Sequence, residues 1–472
     1  MRHSPRRLLG PFLSATRDVA RLAIVLLLFG VLSACDSLYP LGEKSKVSRL
    51  SDKPTRFLTK GDIPDRPPLI LELGDPFLAP GNLGAGFELP TGAVWQPRLW
   101  VFGTLRTALQ TFDNGVTPPT PEWANRFDLF ANLQLTGTEK IVFGIRPLDK
   151  NRFNAFSGYA IEEDRVKNEL NANIRTFFFE GDFGSLFPNL DKQGFIPIDL
   201  GFSIGRQPLL FQDGILINDT VDSLGLVRNN VRLPGVSNLR ISGVYGWDEL
   251  DSRNDRQAYM LGMFLAADMP ISTVELDAIY VGENRPEGGS FHAGVATTQR
   301  IGHISTTFRV LGSYSEAEDN ARVADGVLLT SEVSWTPQSS DDIVYITSFL
   351  AIDNFTQAGR EPIVGGPLAA LGILFASPNL GNHLSELSGR ANDIVGGAIG
   401  YQAFWDNHRR NLVLELAGRV DTSGVGPSDY ALGFQFQQAF FRRILLQVDS
   451  FYAVQEDRDD AYGARTELLV QF

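Results

Sequence analysis

The chain has 472 residues, a formal net charge of −13, 43% hydrophobic residues, 11% aromatics and a single cysteine. The acidic balance argues against a nucleic-acid binder, and one cysteine excludes an internal disulfide framework. The hydrophobic share is too low for a bundle of membrane helices, but it suits a barrel in which only alternate residues meet lipid.

Residues 22–34 are the only long apolar run, and Arg2, Arg6, Arg7, Arg17 and Arg21 precede it. A basic segment, an apolar core and small residues make a secretory signal over 1–34 rather than a membrane helix. The run ends Leu32-Ser33-Ala34-Cys35, which resembles the lipobox of bacterial lipoproteins, so Cys35 is the expected lipidation site and first mature residue. Residues 35–96 hold eight prolines and no sustained period. They read as a periplasmic linker or plug, with apolar patches such as 69–73 resting on the rest of the molecule.

From residue 97 to the end, segments of period 2 follow one another. They are 98–110, 123–136, 139–147, 168–182, 197–206, 222–232, 239–248, 255–267, 272–283, 289–299, 303–315, 324–336, 342–352, 391–404, 410–421, 429–439, 444–455 and 461–472. Their lengths suit tilted membrane strands of about 9–11 residues. Connections after the second, sixth, eighth, tenth and sixteenth segments are tight, whereas 148–167, 207–221 and 353–390 are long. Short and long connections thus fall at opposite ends; the segment 183–196 is the exception. The pattern predicts an all-β fold: a transmembrane antiparallel up-and-down β-barrel over 97–472, with about 18 strands (16 if boundaries merge), in the cell outer membrane. Parity puts both termini on the periplasmic side, with lipid and lipopolysaccharide as surroundings.

Charge on the lipid face costs ~2–4 kcal/mol at the midplane, so charged positions are assigned inward. Early strands then point Arg98, Arg106, Arg126, Arg146, Arg175, Arg228, Arg232 and Arg240 into the lumen, with Asp128 nearly alone against them. Later strands contribute Glu275, Asp277, Glu332, Glu415, Asp449 and Glu467 beside Arg309, Arg419 and Arg465. An arginine wall suits oxyanions, which a planar guanidinium binds through two parallel hydrogen bonds. The same arginines also serve to satisfy lumen acids. The connection 353–390 carries the apolar stretch 362–375, unsuited to open water, and is expected to fold inward as a constriction or to meet a protein partner. No metal or cofactor motif and no catalytic constellation is legible. His303 and Ser305 share a face, but no Asp or Asn completes a triad.

Gly205-Arg206-Gln207, Phe211-Gln212-Asp213-Gly214, Val227-Arg228-Asn229 and Val231-Arg232-Leu233 resemble the alginate-export porin family. The resemblance covers about thirty residues. It implies an outer-membrane barrel with an arginine-bearing lumen that passes an anionic polysaccharide, and it makes Arg206, Arg228 and Arg232 selectivity residues. The leading expectation is therefore a porin for an anionic small molecule or polysaccharide. The alternative is a sheath barrel holding a protein such as a multihaem cytochrome in its lumen.

Overall fold

The computed structural model describes residues 69–76, 83–150, 156–193, 199–250, 258–283, 289–317, 323–337, 340–359, 366–424 and 426–472. The signal segment and Cys35 lie outside the described residues.

Eighteen strands close into one antiparallel barrel. In chain order they are β1 Arg98–Asp113, β2 Glu122–Gln134, β3 Lys140–Ile145, β4 Ile174–Asp182, β5 Gly201–Phe211, β6 Ile217–Leu233, β7 Val236–Asp248, β8 Ala258–Asp268, β9 Ser272–Glu283, β10 Ser290–Ile301, β11 Ile304–Ser315, β12 Gly326–Trp335, β13 Ile343–Phe355, β14 Ala391–Trp405, β15 Arg410–Asp421, β16 Asp429–Phe440, β17 Ile444–Gln455 and β18 Ala461–Gln471. Each pairs with its sequence neighbours, and β18 closes on β1 from Tyr462↔Asp113 to Gln471↔Thr104. Closure removes the open edges that a sheet of this size would otherwise expose.

Alternation decides which face each residue takes. On β15 and β16 the pairs Leu414↔Phe434 and Leu416↔Leu432 are exposed on the outer face, while Glu415↔Gly433, Ala417↔Ala431 and Arg419↔Asp429 lie between them and face inward. Leu261, Leu276, Val310 and Val454 extend the exposed apolar face to other strands. A closed sheet that is apolar outside and charged inside inverts the pattern of a water-soluble sandwich.

All eighteen expected strands are present, most within three residues of the expected ends. Some pieces were not anticipated. A short hairpin, Ser157–Ala160 with Arg165–Lys167, lies in the connection between β3 and β4 and pairs with the start of β2. The segment Leu71–Leu73 pairs antiparallel with residues 99–101 of β1, below the point where β18 ends. Its apolar side chains extend the wall at the seam, where β1 would otherwise have an open edge. A second small hairpin, Phe87–Glu88 with Val94–Trp95, precedes β1.

Candidate functional site

Two connections turn inward and meet: the short one after β5, residues 212–216, where most of the expected long connection 207–221 is instead strand, and the long one after β13. After β5, Gln212, Asp213 and Gly214 take positive φ angles of 53°, 52° and 83°, a left-handed run that tips the chain into the barrel. Leu216 O then accepts from Ala358 N at 2.9 Å, which joins this turn to the connection after β13. Further along that second connection, residues 366–390 start with the 3-10 turn Pro367–Ala370 and cross the lumen. Leu368, Leu371, Leu374 and Phe375 are buried at 0–1% exposure in one cluster with Leu311, Leu328, Phe349 and Ala417 from the wall. The expected inward fold of this loop is thus present, and it forms an apolar plug rather than a thin eyelet.

Polar wall groups fix the loop where its backbone would otherwise lack partners. The Glu415 carboxylate accepts Ile373 N and Leu374 N, each at 2.9 Å, and also the Tyr345 hydroxyl. Thr347 Oγ1 donates to Leu371 O at 2.5 Å, and Arg419 donates to Ser388 O. Across the lumen, Gln110 Nε2 donates to Leu380 O at 2.7 Å, and Glu122 accepts Asn382 N, Gln110 Nε2 (2.9 Å) and Lys167 Nζ (3.0 Å). Gly381 sits at this tip with φ +65°, where a Cβ would lie 2.9 Å from Ala124 Cβ. His383 packs against Phe112 at 4.9 Å between ring centres. Burial pushes this loop imidazole down to about 4, so it is neutral at pH 7.

Beside the plug runs a ladder of charge. Arg465 bridges Asp449 (2.7 Å) and Glu467 (2.6 Å), and Glu467 binds Arg106 at 2.5 Å across the β18–β1 seam. On β2, Arg126 holds Asp128 at 2.8 Å; Arg146, just past β3, holds the same carboxylate at 2.6 Å. Asp149 follows, 3.8 Å from Arg146 and 3.4 Å from Arg175. Five guanidiniums therefore face four carboxylates. Along the sequence, too few acids stand near the early arginines to pair them. The missing partners are Asp149, from a connection, and Glu467, 361 residues away from Arg106. Arg106 and Arg126 also donate to loop carbonyls, Pro378 O at 3.1 Å and Asn379 O at 3.3 Å.

Not every expected lumen arginine is inside. Arg206 shares the outer face of β5 with exposed Ile204 and Leu210, and it pairs with Asp222 (2.8 Å) and Glu249 (2.7 Å). Arg228 stands opposite Ile241 on the outer face, in unbroken register with exposed Leu226; the register of β6 breaks only beyond it, between Arg228 and Val231, at left-handed Asn230. The apolar residues Val227 and Val231 span that break, so parity read through them inverts Arg228. Arg232 lies exposed beside the Pro234-Gly235 hairpin. Arg98 stacks over Trp100 at 5.5 Å, and Arg240 faces inward with no ion pair among the described residues. The residues that hold the loop, above all Glu415 and Glu122, were not singled out from sequence as its partners. A carboxylate on a lumen face carries no mark of the backbone it will accept.

Under the loop lies a cavity of about 190 Å³ bounded by Arg106, Arg465, Asp449, Glu386, Leu374 and Phe451 among others. No group of three metal-ligating side chains occurs among the described residues.

This architecture is a closed 18-stranded antiparallel barrel of the outer-membrane porin type. The chain is similar to the outer membrane protein opdK of Pseudomonas aeruginosa, with TM-score 0.51 and 11% identity over 79% of this chain and 98% of that one. It is similar to OccAB3 of Acinetobacter baumannii, with TM-score 0.51 and 11% identity over 79% and 99%. OccK11 (OpdR) of Pseudomonas aeruginosa gives TM-score 0.50 and 11% identity over 79% and 96%. No family model matches the chain, and neither does any curated protein.

Proposed function

We propose that the protein is an outer-membrane channel that passes small anionic solutes along the guanidinium ladder, with residues 366–390 as its gate. One observation carries the reading: five inward guanidiniums, one more than their carboxylates, line the same lumen that a latched loop closes. Within that ladder the one guanidinium in excess sits in a low-dielectric lumen, where its field is focused rather than screened. The apolar outer face supports a lipid environment. The segregation of short and long connections supports periplasmic termini.

The plug and a cavity of about 190 Å³ favour a small solute over a polysaccharide. Arg206 and Arg228, being on the outer face, have no place in selectivity; Arg106, Arg126, Arg146 and Arg175 take that role, with Arg98, Arg232 and Arg240 nearer the end of the barrel that carries the short turns. A loop of the chain's own folded into the lumen also favours a gated channel over a sheath around a partner protein.

The test is conductance of the purified barrel in a planar bilayer under a KCl gradient. Brief openings with an anion-selective reversal potential are expected. Cation selectivity, or silence even when the loop latch is removed, would count against the proposal.

A further inference from the structure

We infer that the cavity beneath the loop binds an organic ammonium group, with Glu386 as its counter-charge. Arg465 spends every nitrogen on acids: Nε and Nη2 on Asp449 at 2.8 and 2.7 Å, Nη1 on Glu467 at 2.6 Å. Arg106 meets Glu467 through Nε at 2.5 Å and Nη2 at 2.9 Å. Asp449 is further occupied by Gln447 Nε2 at 3.0 Å. Two guanidiniums thus answer two carboxylates, Asp449 and Glu467. Glu386 is left over, and its Oε2 is buried without a hydrogen-bond partner among the described residues.

A buried acceptor without a donor costs free energy, and an uncompensated carboxylate costs more. Burial pushes this loop carboxyl well above its ordinary range, toward the neutral form. A cation bearing N–H donors supplies both missing partners at once. An inorganic divalent ion is a poorer match, because Asp449 is already occupied and no three-ligand cluster is present among the described residues. Ile373, Leu374 and Phe451 line the same cavity and would cover the alkyl part of an organic ammonium. The inference goes beyond the channel proposal and does not need ions to cross the barrel.

The experiment is calorimetric titration of the full chain in detergent micelles with n-butylammonium chloride, in two buffers of different ionisation enthalpy. Sodium butyrate and KCl serve as controls. Saturable binding with proton release is expected for butylammonium alone, because the ligand ionises Glu386. Glu386→Gln should weaken it at least tenfold and abolish the proton release. No saturable heat with the unaltered chain, equal binding by the variant, or saturable binding of butyrate that competes with butylammonium would overturn the inference. Heat-dependent gel mobility checks that the variant barrel is folded. If it is not, Glu386→Asp replaces it; retracting the charge by one methylene should weaken binding several-fold, and unchanged affinity would refute the assignment.

Discussion

Replacing Glu415 with alanine isolates the latch from the barrel. The carboxylate accepts two consecutive backbone N–H groups, Ile373 and Leu374, each at 2.9 Å. Hydrogen bonds to a charged group contribute ~1.5–3 kcal/mol each. The cavity borders Ile373 and Leu374, so water can reach part of the gap and soften the loss. A net weakening of loop docking by about 2–4 kcal/mol follows, or about 30- to 1,000-fold in the docked-to-undocked ratio. Four fully buried apolar side chains still hold the loop, each stabilising by ~1.5–3 kcal/mol. Docking should therefore remain the majority state, and single-channel records should show more frequent openings rather than a permanently open pore. The inter-strand hydrogen bonds are untouched, so heat-dependent gel mobility should match the unaltered barrel. A folded Glu415→Ala barrel with unchanged open probability would refute the latch.

Phe375→Ala removes a ring that meets Phe349 edge-on at 5.3 Å, and large-to-small core changes of this kind cost ~3–5 kcal/mol; openings should rise as for Glu415→Ala. Gly381→Val places a branched side chain at φ +65° against Ala124, Gln110 and Glu122, so the loop tip should lift and protease sensitivity within 366–390 should increase. Arg126→Ala with Arg146→Ala should move the reversal potential toward cation preference, leaving Asp128 without its two partners. Arg228→Ala, on the outer face, should leave the reversal potential where it was.

The strands were legible because lipid and lumen impose opposite demands on alternate residues. In 461–471 the exposed side chains Tyr462 and Leu468 alternate with buried Arg465 and Glu467, and no other regular structure satisfies that pattern. The alternation stops being informative where the ladder slips. Asn229-Asn230 inside β6 is the one local warning of the bulge that puts Val227 and Val231 on opposite faces, so that parity read back from Val231 misplaces Arg228. Charge pairing was illegible for a different reason. Glu467 reaches Arg106 only because the last strand closes on the first, and Asp149 reaches Arg175 only because a connection folds back. The apolar stretch of 362–375 signalled burial, but its seat on Glu415 is a fact of tertiary geometry.

Gating and selectivity share atoms in this lumen. Arg106 Nη2 donates to Pro378 O at 3.1 Å and Arg126 Nη1 to Asn379 O at 3.3 Å, so loop carbonyls occupy donors that an anion would use. A carboxylate is the stronger acceptor for a guanidinium, roughly twice as strong as a neutral oxygen. An anionic solute therefore binds the undocked state better than the docked one and must shift the equilibrium toward opening. Raising acetate at constant ionic strength should increase open probability in the unaltered barrel. Arg126→Ala should blunt that response even though it also loosens the loop, because the competed donor is gone. If acetate leaves the openings unchanged while Glu415→Ala raises them, the loop is a gate that ignores its cargo.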